Sequence, residues 1–264
     1  MLEKLTAYLE NNPEVKLAFW FGSRAKNQEH NKSDLDILIS LKNPQAESKI
    51  WQDLGRIAGQ EIDLINTDRA PASLISNALK TGVPLTIKDK NLYWDLYLEK
   101  TMEAEDFAKF VVDYWKIYQR SQSLNPEDRV RLIERLEFLT AEIKELERFS
   151  KIGPEKYEDN KPVRREMERW SENIINALID IAKIIMASQN KPIPKTYEDS
   201  LKNFAELAGL SPEEVLKIST LARLRNILAH EYLEIIYEKI RAFIKDFPEI
   251  WEQLNKFINN YLKE

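Results

Sequence analysis

A chain of 264 residues is long enough for about two ordinary domains. With 43% hydrophobic and 31% charged residues it reads as a folded protein, and the absence of Cys removes disulfides, thiolate zinc sites and thiol nucleophiles. The formal net charge of −5 is shared nearly evenly between the halves, so RNA binding would need a local basic patch or one assembled in an oligomer.

Taken in order, the first elements alternate in type. Leu2 to Leu9 has helical spacing, Val15 to Phe21 is an aromatic-rich strand, and Leu35 to Ile39 is a second strand. Ala46 to Ala58 reads as a helix and Glu61 to Ile65 as a third strand. Ala70 to Thr81 is a helix stopped by Gly82, with a short strand from Pro84 to Ile87. Strands alternating with helices imply an α/β domain, a sheet covered by helices. After about Tyr93 the strand signals stop, and a helix is expected over Ala104 to Arg120. The polar stretch Ser121 to Asp128 holds a Pro and a helix N-cap, which places the domain boundary between residues 122 and 123.

The remainder reads as an all-α bundle. Leu132, Leu136, Leu139, Ile143 and Leu146 form one apolar stripe, and Met167, Trp170, Ile174, Ala177, Leu178 and Ile181 another. Leu201 to Leu207 is a short helix. Ser211-Pro212-Glu213-Glu214 is a helix start, with Ser as N-cap and acids in the first turn, and a long helix ends the chain. No apolar run reaches the ~20 residues that span a bilayer, and no leader pattern opens the chain, so a cytoplasmic protein without a membrane partner is expected.

The sharpest chemical signal is Gly22-Ser23 followed, ten residues on, by Asp34-Leu35-Asp36. Gly22 ends a strand, and its missing Cβ lets a phosphate approach backbone N–H groups, with the Ser23 hydroxyl as a further donor. Asp34 and Asp36 are two apart on a strand, so both carboxylates share a face. Converging carboxylates repel unless a cation lies between them, and Mg²⁺ is the hard ion that suits carboxylate and triphosphate. Asp63 is polar among apolar neighbours on the third strand and can reach the same point; three carboxylates with phosphate can hold two metals. Glu61 shares its face but sits at the strand mouth. Arg24 and Lys26 are either phosphate contacts or solvated loop cations, and His30 lies in a polar loop.

These residues, Phe-Gly-Ser-Arg-Ala through Ser-Asp-Leu-Asp, resemble the minimal nucleotidyltransferase (MNT) family of the polymerase-β-like superfamily over roughly residues 10–90. The resemblance implies a mixed sheet with helices and transfer of a nucleoside monophosphate from a triphosphate, ATP, to an acceptor hydroxyl. It further implies that Asp34 and Asp36 bind metal, that Asp63 ligates the nucleophile-side metal and helps deprotonate the acceptor, and that Gly22, Ser23 and Arg24 hold the nucleotide.

A second motif is Arg225-Asn226-Ile227-Leu228-Ala229-His230-Glu231-Tyr232. At ~100° per residue Asn226 and His230 share a helix face, whereas Arg225 and His230 are out of register. His titrates near neutrality and Arg stabilises phosphate charge, a pair able to cleave RNA without metal by activating a 2′-hydroxyl. Residues from about 129 to 264 resemble the HEPN family of helical proteins, in the branch with Arg, four residues, His, one residue, Tyr. Arg225, Asn226, His230 and Tyr232 match it; Asn176 and Ile184 stand where that branch leads one to expect Glu and His.

The resemblance implies a toxin–antitoxin system, since HEPN and MNT proteins pair as RNase toxin and neutralising partner, the latter in one branch attaching AMP to the motif Tyr. Here both resemble halves of one chain, with Tyr232 as acceptor, a HEPN homodimer as the assembly, RNA as substrate and no DNA partner expected. Two other readings stay open. One is an aminoglycoside-type small-molecule nucleotidyltransferase with a helical accessory domain; the other is a catalytically silent nucleotide-binding or dimerisation protein.

Overall fold

A computed structural model describes residues 1–22, 35–120, 123–230 and 236–263, with His230 described in its backbone alone. The chain divides into two compact units, Met1–Asp106 and Phe107–Glu264.

The first unit opens with helix α1 (Leu2–Asn11), then strands β1 (Val15–Phe21) and β2 (Leu35–Leu41), helix α2 (Glu47–Ala58), strand β3 (Ile62–Asn66), helix α3 (Ala72–Thr81) and strand β4 (Val83–Ile87). The sheet order is β3-β2-β1-β4. β1 runs antiparallel to both β2 and β4, while β2 and β3 are parallel, joined by the α2 crossover as a parallel pair requires. Both faces of the sheet are covered, which is why β1 and β2 read as nearly continuous apolar runs. Ala18, Leu35, Ile37, Ile39 and Ile62 pack with Leu5 and Leu9 of α1 and Ile50 and Leu54 of α2. On the other face Leu17, Phe19, Phe21 and Leu38 pack with Ile75, Ala78 and Leu79 of α3.

The turn from α3 into β4 needs Gly82. A Cβ there would lie 2.4 Å from the Ala78 carbonyl oxygen and 2.9 Å from that of Trp20, both backbone atoms that cannot yield.

Helix α4 (Lys90–Arg120) begins well before the expected Ala104. Its first turns carry Leu92, Tyr93, Leu96 and Tyr97 onto the sheet, with Tyr93 stacked on Phe19 at 5.8 Å between ring centroids. The opposite side of the same turns bears exposed Trp94, Leu98 and Met102, so the apolar stripe that marks a helix in sequence is smeared out there. The two units divide within α4, at Asp106 and Phe107, whereas the polar composition pointed to residues 122 and 123. Residues 123–128 instead launch the next helix, α5 (Pro126–Glu142): the Asn125 side chain accepts from the Asp128 N–H at 2.9 Å.

The second unit is helical among its described residues. After α5 come a 3-10 turn (Ile143–Glu145), short helices α6 (Leu146–Ser150) and α7 (Pro154–Asp159), the long α8 (Lys161–Ser188), α9 (Tyr197–Leu207), α10 (Pro212–His230) and α11 (Tyr237–Tyr261). The apolar stripe from Leu132 to Leu146 is thus spread over α5, the turn and α6 rather than one helix. The stripe on α8 is continuous, and Met167, Trp170, Ile174, Ala177, Leu178 and Ile181 are all buried. Ser211 and Glu214 form a reciprocal cap on α10, the Glu214 carboxylate accepting from the Ser211 backbone N–H at 2.8 Å. Among the described residues no helix is long and apolar enough to cross a membrane.

One chain of alternating charge ties α4, α5 and α8 together. Lys183, its side chain only 9% exposed, holds Asp113 at 2.8 Å and Asp180 at 2.9 Å. Arg131 holds the same Asp113 at 2.8 Å and the buried Asp128 at 3.2 Å, and Arg135 holds Asp180 at 3.0 Å. Burial pushes the Asp113 carboxyl up, but hydrogen bonds and charge from Lys183 and Arg131 outweigh it and hold it below the usual carboxylate range. A depressed carboxyl contributes stability above its unfolded pKa of about 3.9 and loses it as pH falls through the folded value. Asp113→Asn is therefore expected to cost about 1–3 kcal/mol at neutral pH, measured by denaturant unfolding. The gap between the two proteins should shrink as pH drops below about 4; a gap that stays constant well into the acid range would contradict the network's role.

Candidate functional sites

β1 delivers Gly22 to the edge of the sheet, and β2 and β3 run beside it. The register pairs Asp36 with Phe21 on one side and with Asp63 on the other. Because paired residues on neighbouring strands share a face, Asp36 and Asp63 lie side by side, on the face of Leu38 and Ile65. Asp63 is exposed and Asp36 half-buried.

Gly22 adopts a φ of +92°, a left-handed conformation that side chains other than glycine rarely take. Its missing Cβ has a second use. A Cβ built on Gly22 would fall 2.1 Å from Oδ2 of Asp36, so the carboxylate occupies the space over the Gly22 Cα. Gly22 and the Asp36 carboxylate therefore lie in close approach.

The donor set suits a hard divalent ion: carboxylates on adjacent strands, one of them packed against Gly22. Among the described residues no cluster of three or more His, Cys, Asp or Glu assembles. Asp34, the remaining expected ligand, lies outside the described residues, as do Ser23, Arg24, Lys26 and His30. Glu61 precedes β3, whose pairing with β2 starts at Ile62, and stands apart from the pair.

In the second unit, Arg225 sits on α10 and faces α8 and α9. Its Nε donates to Oδ1 of Asn176 on α8 at 3.0 Å, Nη1 approaches Oδ1 of Asn226 at 3.4 Å, and its guanidinium lies 5.1 Å from the centroid of the Tyr197 ring on α9. Arg225 and Asn226 are both half-buried. Asn176, which the family resemblance marked as a departure, is thus the helix α8 partner of Arg225. An amide oxygen orients the guanidinium and brings no negative charge of its own, where a Glu would bring one. Nothing in the sequence links positions 49 apart on different helices, and the stacking Tyr197 was equally illegible as an Arg225 contact. The neighbouring Arg223 is bound elsewhere, by both oxygens of Glu198 at 2.9 Å. His230 ends α10; its side chain and Tyr232 lie outside the described residues. Ile184 is buried in the helical core, where a His would be desolvated.

Comparison with known proteins follows this division. Residues 3–91 match the family model of polymerase beta nucleotidyltransferases, and residues 139–259 that of HepT-like ribonucleases. No curated protein matches the chain. Among solved structures, a toxin–antitoxin with AMP-PNP is 20% identical, over 40% of this chain and 90% of that one, with a TM-score of 0.35. The MntA–HepT toxin–antitoxin is 18% identical, over 40% of this chain and 86% of the other, with a TM-score of 0.32. A complex of the tri-AMPylated Shewanella oneidensis HEPN toxin with its MNT antitoxin is 18% identical, over 43% of this chain and 97% of that one, with a TM-score of 0.33. The chain carries a polymerase-beta-type nucleotidyltransferase domain followed by a HepT-like domain.

Proposed function

We propose that the chain is a toxin and its antitoxin in one polypeptide: the first unit transfers AMP from ATP to the phenol of Tyr232, and this restrains an RNA-cleaving helical unit. The observation that carries the transferase reading is the register pair Asp36–Asp63 at the sheet edge beside Gly22. Asp34, Asp36 and Asp63 would hold Mg²⁺. Bound there, the ion supplies positive charge to the triphosphate and to the attacking oxygen. Gly22, Ser23 and Arg24 receive the phosphates through backbone N–H groups, hydroxyl and guanidinium. The Tyr232 oxygen bonds to the α-phosphorus as the bridging bond to the β-phosphate breaks. Pyrophosphate leaves with the electron pair, and the phenolic proton passes to Asp63.

In the helical unit Arg225, oriented by Asn176, pairs with the scissile phosphate, and Asn226 supports it. His230 takes the proton of an RNA 2′-hydroxyl, whose oxygen attacks the adjacent phosphorus; the 5′-oxygen leaves and is protonated by water. AMP on Tyr232, two residues from His230, occupies the phosphate's place with bulk and negative charge. The out-of-register Arg225 and His230 fit a C2 homodimer through the helical units, which brings two such sets into one cleft.

Intact-mass measurement of the full chain with ATP and Mg²⁺ should show the gain of one AMP. The Asp34→Ala/Asp36→Ala chain and the Tyr232→Phe chain should show none. A gain in the metal-site variant would refute the transferase site, and a gain in Tyr232→Phe would move the acceptor elsewhere. Asp63→Asn should slow transfer at least about a hundredfold, the scale of lost acid–base help, while changing ATP affinity little; weakened ATP binding with an unchanged rate would contradict its role. Light scattering at micromolar concentration should report a dimer, and a monomer would remove the shared RNase cleft.

A further inference from the structure

The sheet of the first unit has a second end, opposite Gly22, where the start of β1 lies. β1 runs antiparallel to both neighbours, so its start lies beside the ends of β2 and β4. Lys16 near that start, Lys42 just past β2 and Lys88 just past β4 therefore fall in a row across three adjacent strands, about 4.8 Å per strand. With Lys90 at the start of α4, they line a cavity of about 530 Å³. It lies one strand length, ~20 Å, from Gly22 and the Asp36–Asp63 pair.

The backbone under these lysines is fixed. The Lys16 carbonyl, at an irregularity between Val15 and Leu17, accepts from the N–H of Lys88 at 2.8 Å and of Asp89 at 3.2 Å. The Lys42 N–H donates to the Glu14 carbonyl at 2.8 Å. Among the described residues none of the four ammonium groups lies within ion-pair distance of a carboxylate; Lys88 donates to the Asn12 carbonyl instead, at 2.5 Å. Asp89 also lines the cavity, but its carboxylate caps α4, accepting from the Leu92 N–H at 3.0 Å. The positive end of this 31-residue helix opens on the same space. Burial lowers the Lys88 ammonium pKa from the usual lysine range and repulsion from Lys42 adds to it, with Glu10 opposing. A protein of net charge −5 thus concentrates four cations around one concavity.

We propose that this cavity docks the phosphodiester backbone of single-stranded RNA, gripped by charge and not read by base. Among the described residues no aromatic ring lines it, Val15 being its apolar residue, so they offer no platform on which a base could stack, as a mononucleotide pocket would. Lysines are point charges that bind phosphate without demanding a bidentate geometry. A nucleic-acid backbone carries a charge at every unit, whereas an extended acidic peptide turns alternate carboxylates away. The proposal stands apart from the assignment of Tyr232 or Arg225, and it supplies the local basic patch that the overall charge demands of any RNA-binding protein of this composition.

Fluorescence anisotropy with the full chain and a labelled mixed-sequence RNA of about a dozen nucleotides tests it. Four phosphate contacts to a single strand give a slope of log affinity on log salt of about −2.8, hence ~50-fold weaker binding at about 200 mM than at about 50 mM salt. The chain with Lys16→Gln, Lys42→Gln, Lys88→Gln and Lys90→Gln should bind at least about tenfold more weakly at low salt, with a slope shallower by up to about 2.8. The two double variants, Lys16→Gln/Lys42→Gln and Lys88→Gln/Lys90→Gln, should each remove about half of that slope and serve if the fourfold variant melts early by circular dichroism. Affinity and slope unchanged in the folded lysine variants would overturn the proposal. So would polyglutamate displacing the RNA as well as polyuridine at equal charge concentration, an outcome that would assign the cavity to an acidic protein segment.

Discussion

The chemistry of the first unit hangs on the parallel pairing of β2 with β3. A slip of one residue would turn Asp36 or Asp63 to the opposite face and bury a carboxylate in the core. Several interactions fix that register. Leu35, Ile37 and Ile39 pack beneath α1 and α2, the Trp51 indole of α2 donates to the Ile62 carbonyl at 2.8 Å, and the Thr67 N–H donates to the Ile39 carbonyl at 2.9 Å. The Asn66 side chain, at the far end of β3, donates to Glu47 at the start of α2, so the first turns of the crossover helix are tied to both ends of β3. These contacts hold two like charges together at the sheet edge, and the structure tolerates that because Asp63 is open to solvent and, on the proposed reading, to a cation.

Much of this was legible in sequence because it obeys local rules. β1 falls on Val15–Phe21 as read, since six of its seven positions before a Gly are apolar or aromatic, and the Ser211 cap announces α10. The Gly22–Asp36–Asp63 constellation was legible because each member breaks an apolar pattern at a strand end or within a strand. What escaped was non-local. The first turns of α4 hid their helical period because aromatics stand on both its sides, packed as Tyr93 or exposed as Trp94. Asn176 could be seen only as a missing Glu, because its hydrogen bond to Arg225 spans two helices. The lysine row escaped for the same reason: Lys16, Lys42 and Lys88 are far apart in the chain and meet only through the strand order.

On the proposed reading, both activities stand on one chain, and this changes the arithmetic of control. A separate antitoxin must find its toxin by diffusion, whereas two sites on one polypeptide meet at an effective concentration set by their connection. On the proposed reading, restraint is exerted by a covalent group on Tyr232, so its strength depends on occupancy of one phenol and not on the affinity of a complex. Arg225 fits that scheme: a guanidinium held by an amide and an aromatic ring is preorganised for a phosphate, whether it belongs to RNA or to an AMP attached next to His230.

On the proposed reading, the carboxylate site of one unit keeps the Arg225–His230 site of the other silent. The direct measurement is RNA cleavage in vitro by three purified chains: the intact protein after incubation with ATP and Mg²⁺, the Asp34→Ala/Asp36→Ala chain treated alike, and that variant carrying His230→Ala in addition. Cleavage by the metal-site variant should be at least about tenfold faster than by the intact chain and should be lost on adding His230→Ala, whose acid–base contribution is of the order of a hundredfold or more. Equal, negligible cleavage by all three folded proteins would contradict that reading and leave a nucleotidyltransferase with a helical accessory domain.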